Sequence, residues 1–195
     1  LNAKQLFFDL LKEEDLPTGF RNKVSRLKHS SFVPLLQAIA LREPPEYKTG
    51  EDVNNTVVVE LTPFMDDYVR MFEDYVHGIP NTKMPLACVA TLVDPTRAPE
   101  GNHTLYLYHY EPYNLKAGGP GKWDQIKQEV ADGILETLRQ RTTNMGPDNI
   151  LGRWVFSPLD FERYNPAWVS GDFLHMGMFM TQMFANRPLP GWGQY

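Results

Sequence analysis

Five histidines, one cysteine and aromatic residues at alternate positions are the groups in this 195-residue chain whose types and spacing could do chemistry. His29, His77, His103, His109 and His175 include no pair four apart on one helix and no short metal-ligand spacing. His103 and His109 alternate onto one strand face, but six residues at about 3.3 Å each put them about 20 Å apart, too far for one ion. No metal site is expected. His109 lies in an apolar run and reads as a satisfied core histidine rather than a general base. No Gly-x-Ser-x-Gly elbow occurs, so a Ser, His and Asp hydrolase set has no anchor. Cys88 sits inside the run Leu86 to Leu92, which fits a buried, inert thiol, and a single cysteine permits no internal disulfide.

Phosphate-binding glycine motifs are missing as well: there is no Gly-x-Gly-x-x-Gly after a strand and no Gly-x-x-x-x-Gly-Lys-Ser/Thr. Ala117 to Gly121 reads as a plain turn. What remains is an aromatic set that could wall a pocket for an apolar molecule: Tyr106, Tyr108, Tyr110, Trp154 and Phe156. Their plainer reading is ordinary core, since large aromatic side chains are usually buried. No catalytic residue is assigned.

These residues must be positioned by strands. Leu86 to Val93 and Thr104 to Tyr110 are aromatic and β-branched runs flanking a connection rich in Pro, Asp and Gly, the pattern of paired strands at the centre of a sheet. Alternation sends Tyr106, Tyr108 and Tyr110 to one face and Leu105, Leu107 and His109 to the other. Neither face is polar, so both are expected to be covered. Ser31 to Leu41, Thr56 to Leu61 and Ile150 to Phe156 read as further strands, with Pro34 arguing for an edge or a bulge in the first.

Helices alternate with them. Asn2 caps one running to Leu11, and Pro17 opens a second with Phe20, Val24 and Leu27 inward and Arg21, Lys23, Arg26 and Lys28 outward. That basic run is most simply a solvated face, with phosphate binding as the alternative. Arg42 to Asn55 reads as an exposed loop. Thr62 as N-cap and Pro63 as first residue open a helix whose wide stripe of Phe64, Tyr68, Met71, Phe72, Tyr75 and Val76 reads as core, or else as a pocket wall or interface. Gly78 and Pro80 end it. Trp123 to Arg141 carries the clearest helical period, and Ser157, Pro158 and Asp160 open a short helix or turn. Tyr164 to Tyr195 has no clear period, and Asp172 to Met183 fits a loop folding over the sheet. The expected class is α+β: a largely antiparallel β-sheet with helices packed on it.

Composition narrows the function. A net charge of -5 argues against a nucleic-acid or anionic-membrane surface, and 42% hydrophobic with 22% charged residues is ordinary for a globular chain. No apolar run approaches the ~20 residues of a membrane helix, so a cytoplasmic protein with no integral membrane span is expected. Length fits a single domain over 1–195.

Three stretches carry a resemblance. Asp94, Pro95, Ala98, Pro99 and Gly101 precede a strand ending in Pro112 and Tyr113. Asn149 to Arg153 is followed by Ser157 to Asp160, Gly171-Asp172, His175, Gln182 and Arg187-Pro188-x-Pro-Gly191. The opening has Asn2-Ala3, Phe-Asp-Leu-Leu and Leu16-Pro17. This order resembles the substrate domain of phytoene desaturase-like FAD-dependent oxidoreductases. The resemblance implies the excised substrate and interaction domain of a two-domain flavoprotein, whose FAD-binding dinucleotide domain is absent from this chain. It further implies oxidation or desaturation of a hydrophobic substrate by hydride transfer to FAD in the full-length protein, with no cofactor and no activity expected of this fragment alone. Its partners would be a hydrophobic small molecule and its own missing FAD domain. The chain begins at Leu1 and reads as cut from something larger. The rival is a cofactor-free binding module for an apolar ligand or a protein partner.

Overall fold

The computed structural model describes residues 1–30, 32–62 and 64–187. Six α-helices and five strands are interspersed along them. Helices α1 (Ala3–Gln5) and α2 (Thr18–Ser25) precede β1 (Phe32–Leu41). Then follow α3 (Glu51–Asn54), β2 (Val58–Glu60), α4 (Met65–Val76), β3 (Leu86–Cys88), β4 (His103–Pro112), α5 (Trp123–Arg139), β5 (Ile150–Phe156) and α6 (Pro158–Tyr164). The strands form one antiparallel sheet in the order β2-β3-β4-β1-β5, so the class is α+β.

Long strands β1 and β4 make the spine, paired without a break from Phe32↔Pro112 to Leu41↔His103. Pro34 was expected at an edge or a bulge, yet β1 is interior. It is tolerated because β5 pairs with β1 only from Leu36 onward, so no strand lies on that side of Pro34 to need its missing N–H. The run expected to extend to Val93 is a strand only through Cys88, and Ala90–Leu92 turns as a 3-10 helix.

One face of the sheet is dry. Leu35, Ile39, Leu41, Leu105, Leu107 and Val155 meet the apolar stripe of α5, where Val130, Ala131, Ile134, Leu135 and Leu138 are buried. Trp123 anchors the start of that helix: it is fully buried, and its indole N–H lies 3.2 Å from the carbonyls of both Pro112 and Tyr113. Gln37 reaches the same helix by donating to the Ala131 carbonyl at 2.9 Å. Ser157 and Asp160 form a reciprocal capping box at the start of α6, where a short helix or turn was expected.

Other expectations change. Both sheet faces were expected to be covered, but among the described residues the face away from α5 is covered only at its ends, by α4 and α6. The stripe on α4 reads as core from its period, yet only Met71 and Tyr75 of that helix are buried. Thr62 does not cap α4, whose N-cap is Phe64, and Pro63 lies outside the described residues. The first helix gives way to a π-helical turn at Leu6–Leu10, and Leu10 and Leu11 are exposed. Asp172 to Met183 reaches the sheet at Leu174, which lines a cavity with Phe32, Tyr108 and Tyr110, and further on is held to the residues after α2, where the Gly177 N–H donates to the Lys28 carbonyl at 2.9 Å. The Pro188 to Gly191 portion of the resemblance lies outside the described residues. Among those residues no helix is long and apolar enough to cross a membrane.

Candidate functional site

Cross-strand register builds the site. On the face away from α5, Pro34 pairs with Tyr110, Leu36 with Tyr108 and Ala38 with Tyr106. On the other side of β1, Leu36 pairs with Phe156, Ala38 with Trp154 and Ala40 with Gly152. Directly paired residues share a face, so all five aromatic candidates stand on one side of the sheet. They form two ladders flanking a low lane of Leu36, Ala38 and Ala40, with parent strands two spacings, about 10 Å, apart. Edge-to-face contacts order one ladder, with ring centres 6.1 Å apart for Tyr106–Tyr108 and 5.6 Å for Tyr108–Tyr110. Trp154 and Phe156 lie 6.1 Å apart on the other.

This face is open. Tyr106 is 48%, Tyr110 39% and Trp154 66% exposed, so these three are not core. The ordinary explanation for a row of aromatic strand residues, burial against a second layer, fails for them within the described chain. Cys88 also faces this side, paired with Tyr106, and is half-buried rather than sealed.

Helix α4 closes one end of the face. Phe32, Tyr68, Met71, Phe72, Tyr108 and Tyr110 are among the residues lining a cavity of about 330 Å³ there. A second, shallower depression beside it is lined by Ala38, Ala40, Cys88, Tyr106, Gly152 and Trp154. The five candidates therefore share a face without sharing one cavity: Tyr108 and Tyr110 line the first, Tyr106 and Trp154 the second. Phe156 lines neither, its ring lying 5.6 Å from Phe161 and 5.8 Å from Tyr164. Burial first, and Tyr110 beside it, push the Tyr108 hydroxyl up to about 12, so it stays a neutral donor at ordinary pH.

Sequence reasoning missed a buried polar cluster below the α4 cavity. His109 and Glu111 are essentially inaccessible, with Nδ1 3.0 Å from Oε1. The angle is outside hydrogen-bond geometry, and among the described residues His109 Nε2 and the Tyr75 hydroxyl have no hydrogen-bond partner. The Asn81 N–H donates to Glu111 Oε2 at 3.2 Å. Burial pushes Glu111 up to about 7, with His109 opposing. His109 is thus a core histidine but not a fully satisfied one. Its i, i+2 relation to Glu111 on a strand was the signal that could have revealed the pair.

The chemistry offered by the open face is apolar and aromatic contact. Among the described residues no group of three or more His, Cys, Asp or Glu side chains could hold a metal ion. The turn that usually cradles a dinucleotide joins parallel strands through a helix; every strand pairing among the described residues is antiparallel, and no Gly-x-Gly-x-x-Gly occurs in the sequence.

No family model matches the chain. Over 97% of its length it is 27% identical to pyridine nucleotide-disulfide oxidoreductase domain-containing protein 2 of Rattus norvegicus, across 34% of that protein. One of the subunits of a limonene dehydrogenase, from Castellaniella defragrans, is 25% identical over 83% of the chain and 30% of its own length. A phytoene desaturase (neurosporene-forming) of Cereibacter sphaeroides is 34% identical over 42% of the chain and 15% of its own length. The chain thus has weak homology to oxidoreductases, and it spans about a third of the length of the first of these curated relatives.

Proposed function

We propose that the chain is the substrate-holding domain of a flavin-dependent oxidoreductase acting on a hydrophobic molecule, which lies along the open aromatic face between the Tyr106 to Tyr110 and Trp154 to Phe156 ladders. The observation that carries the reading is that face: a solvent-open, apolar sheet surface closed at one end by α4. Contiguous apolar surface of this kind marks a binding site. The similarity to a limonene dehydrogenase and to a phytoene desaturase supports a hydrophobic substrate. On this reading the flavin is held by another part of the full-length protein, and the chain alone is expected to be inactive; the antiparallel pairing of the described strands, without the usual dinucleotide turn, supports it.

The test uses the gene product purified from its source. An intact mass above that of 195 residues, together with flavin absorption bands, is expected. In that protein, Trp154→Ala raises KM for an apolar substrate about tenfold, equivalent to roughly 1.4 kcal/mol, and leaves Tm nearly unchanged because the side chain is 66% exposed. Trp123→Ala, in the dry core, instead costs about 3–5 kcal/mol of stability. A colourless product of 195 residues that still takes up apolar ligands would overturn the flavoenzyme reading in favour of a cofactor-free binding module.

A further inference from the structure

Another cavity, of about 440 Å³, lies away from the aromatic face, between the end of α2 and residues 181–187. Lys23, Arg26, Lys28 and Arg187 surround it with the side-chain amides of Gln182 and Asn186, and none of the described lining residues is acidic. Among the described residues none of these four cations has an ion pair. The chain as a whole carries a net charge of -5, so four cations gathered without a carboxylate stand out locally.

The frame is built rather than incidental. Gln182 and Lys28, 154 residues apart in sequence, exchange hydrogen bonds: the Lys28 N–H donates to Gln182 Oε1 at 2.9 Å, and Gln182 Nε2 donates to the Lys28 carbonyl at 2.8 Å. Asn186 Nδ2 donates to the Met180 carbonyl at 2.8 Å, holding the turn before Arg187. The dipole at the C-terminus of α2 accounts for Lys23 and Arg26. It does not account for Arg187, which arrives from the far end of the described chain. Like charges around one cavity repel, and the repulsion is relieved when an anion with two charges enters. Two guanidinium forks and two ammonium groups suit phosphate oxygens, because the forks donate in pairs and the ammonium groups act as point charges.

We propose that this cavity binds a phosphate-bearing small molecule of the diphosphate class. The site is separate from the aromatic face, so its failure would leave the substrate reading standing. The test is calorimetric titration of the chain with inorganic pyrophosphate at about 20 mM and again at about 200 mM salt, either side of the physiological Debye length. One site is expected, weakening about tenfold between those salts as its charged contacts are screened. Lys28→Gln combined with Arg187→Gln weakens binding at least about tenfold, while Arg187→Lys keeps most of it, because charge is retained without the fork. Lys116→Gln, outside the cavity, changes nothing. All four cationic side chains are exposed, so Tm of the double variant stays at the unsubstituted value and lost binding is not lost folding. ADP binding tighter than pyrophosphate identifies a nucleotide as the source of the phosphates, and equal binding identifies the diphosphate alone. No heat with the unsubstituted chain overturns the proposal. So does undiminished binding in the double variant, or an oligo-glutamate peptide that outcompetes pyrophosphate.

Discussion

Glu111 is a residue whose protonation the fold controls within the ordinary pH range. Its carboxyl is wholly buried, and burial moves it from an ordinary value of 4.5 to about 7, against the opposing pull of His109. A folded-state value above the unfolded one means that the native state binds the proton more tightly. The stabilisation is therefore complete below about pH 4.5 and is lost as pH rises through about 7. The span corresponds to at most about 3 kcal/mol. In urea unfolding, the midpoint of the unsubstituted chain is expected to fall between about pH 5.5 and about pH 8, and the Glu111→Gln variant should show a distinctly shallower dependence over the same interval. Equal slopes would mean that the carboxyl ionises inside the fold without cost.

Helix α4 shows what a pattern of apolar residues does and does not specify. Its period was legible, but periodicity identifies an apolar side, not what covers it, so a stripe that reads as core buries Met71 and Tyr75 and exposes Phe64, Tyr68, Phe72 and Val76. Its end was legible for a firmer reason. Gly78 stands at φ +68°, and a Cβ there would lie 2.6 Å from the Asn114 carbonyl oxygen and 2.7 Å from the Lys116 nitrogen. The Gly78 carbonyl also accepts from the Lys116 N–H at 2.9 Å, tying α4 to the segment after β4. Gly78→Ala is accordingly expected to cost about 2 kcal/mol or more, from left-handed strain together with a clash against backbone. Its urea midpoint should drop by the corresponding amount, and a midpoint within error of the unsubstituted chain would contradict the close approach. Helix α5 was the most legible element because its stripe meets a partner all along: Val130, Ile134 and Leu138 are buried against the sheet.

For the whole molecule, alternation along β4 correctly separated Tyr106, Tyr108 and Tyr110 from Leu105, Leu107 and His109. It could not say which side would face solvent, since both sets are apolar enough to be buried. Nor could a strand pattern reveal that β1, rather than β3, would lie between the two aromatic ladders. That follows from long-range pairing, which leaves no local signal. The open face, with the exposed side of α4, makes a testable whole-molecule property. The chain in its native state is expected to enhance the fluorescence of an apolar anilinonaphthalene dye, and Trp154→Lys should reduce that signal with little change in Tm. A native state that leaves the dye dark would show the face to be covered in solution.

Strand β1 sits between β4 and β5, and both are made long after it. As the polypeptide leaves the ribosome, β1 must wait with both edges unpaired until β4 (His103–Pro112) is made, and with one edge unpaired until β5 (Ile150–Phe156) follows. Loop closure over such separations is slow, and an apolar strand with free edges pairs readily with a neighbouring nascent chain. Yield of this protein is therefore expected to respond to translation speed and chaperone supply as well as to the stability of the finished fold.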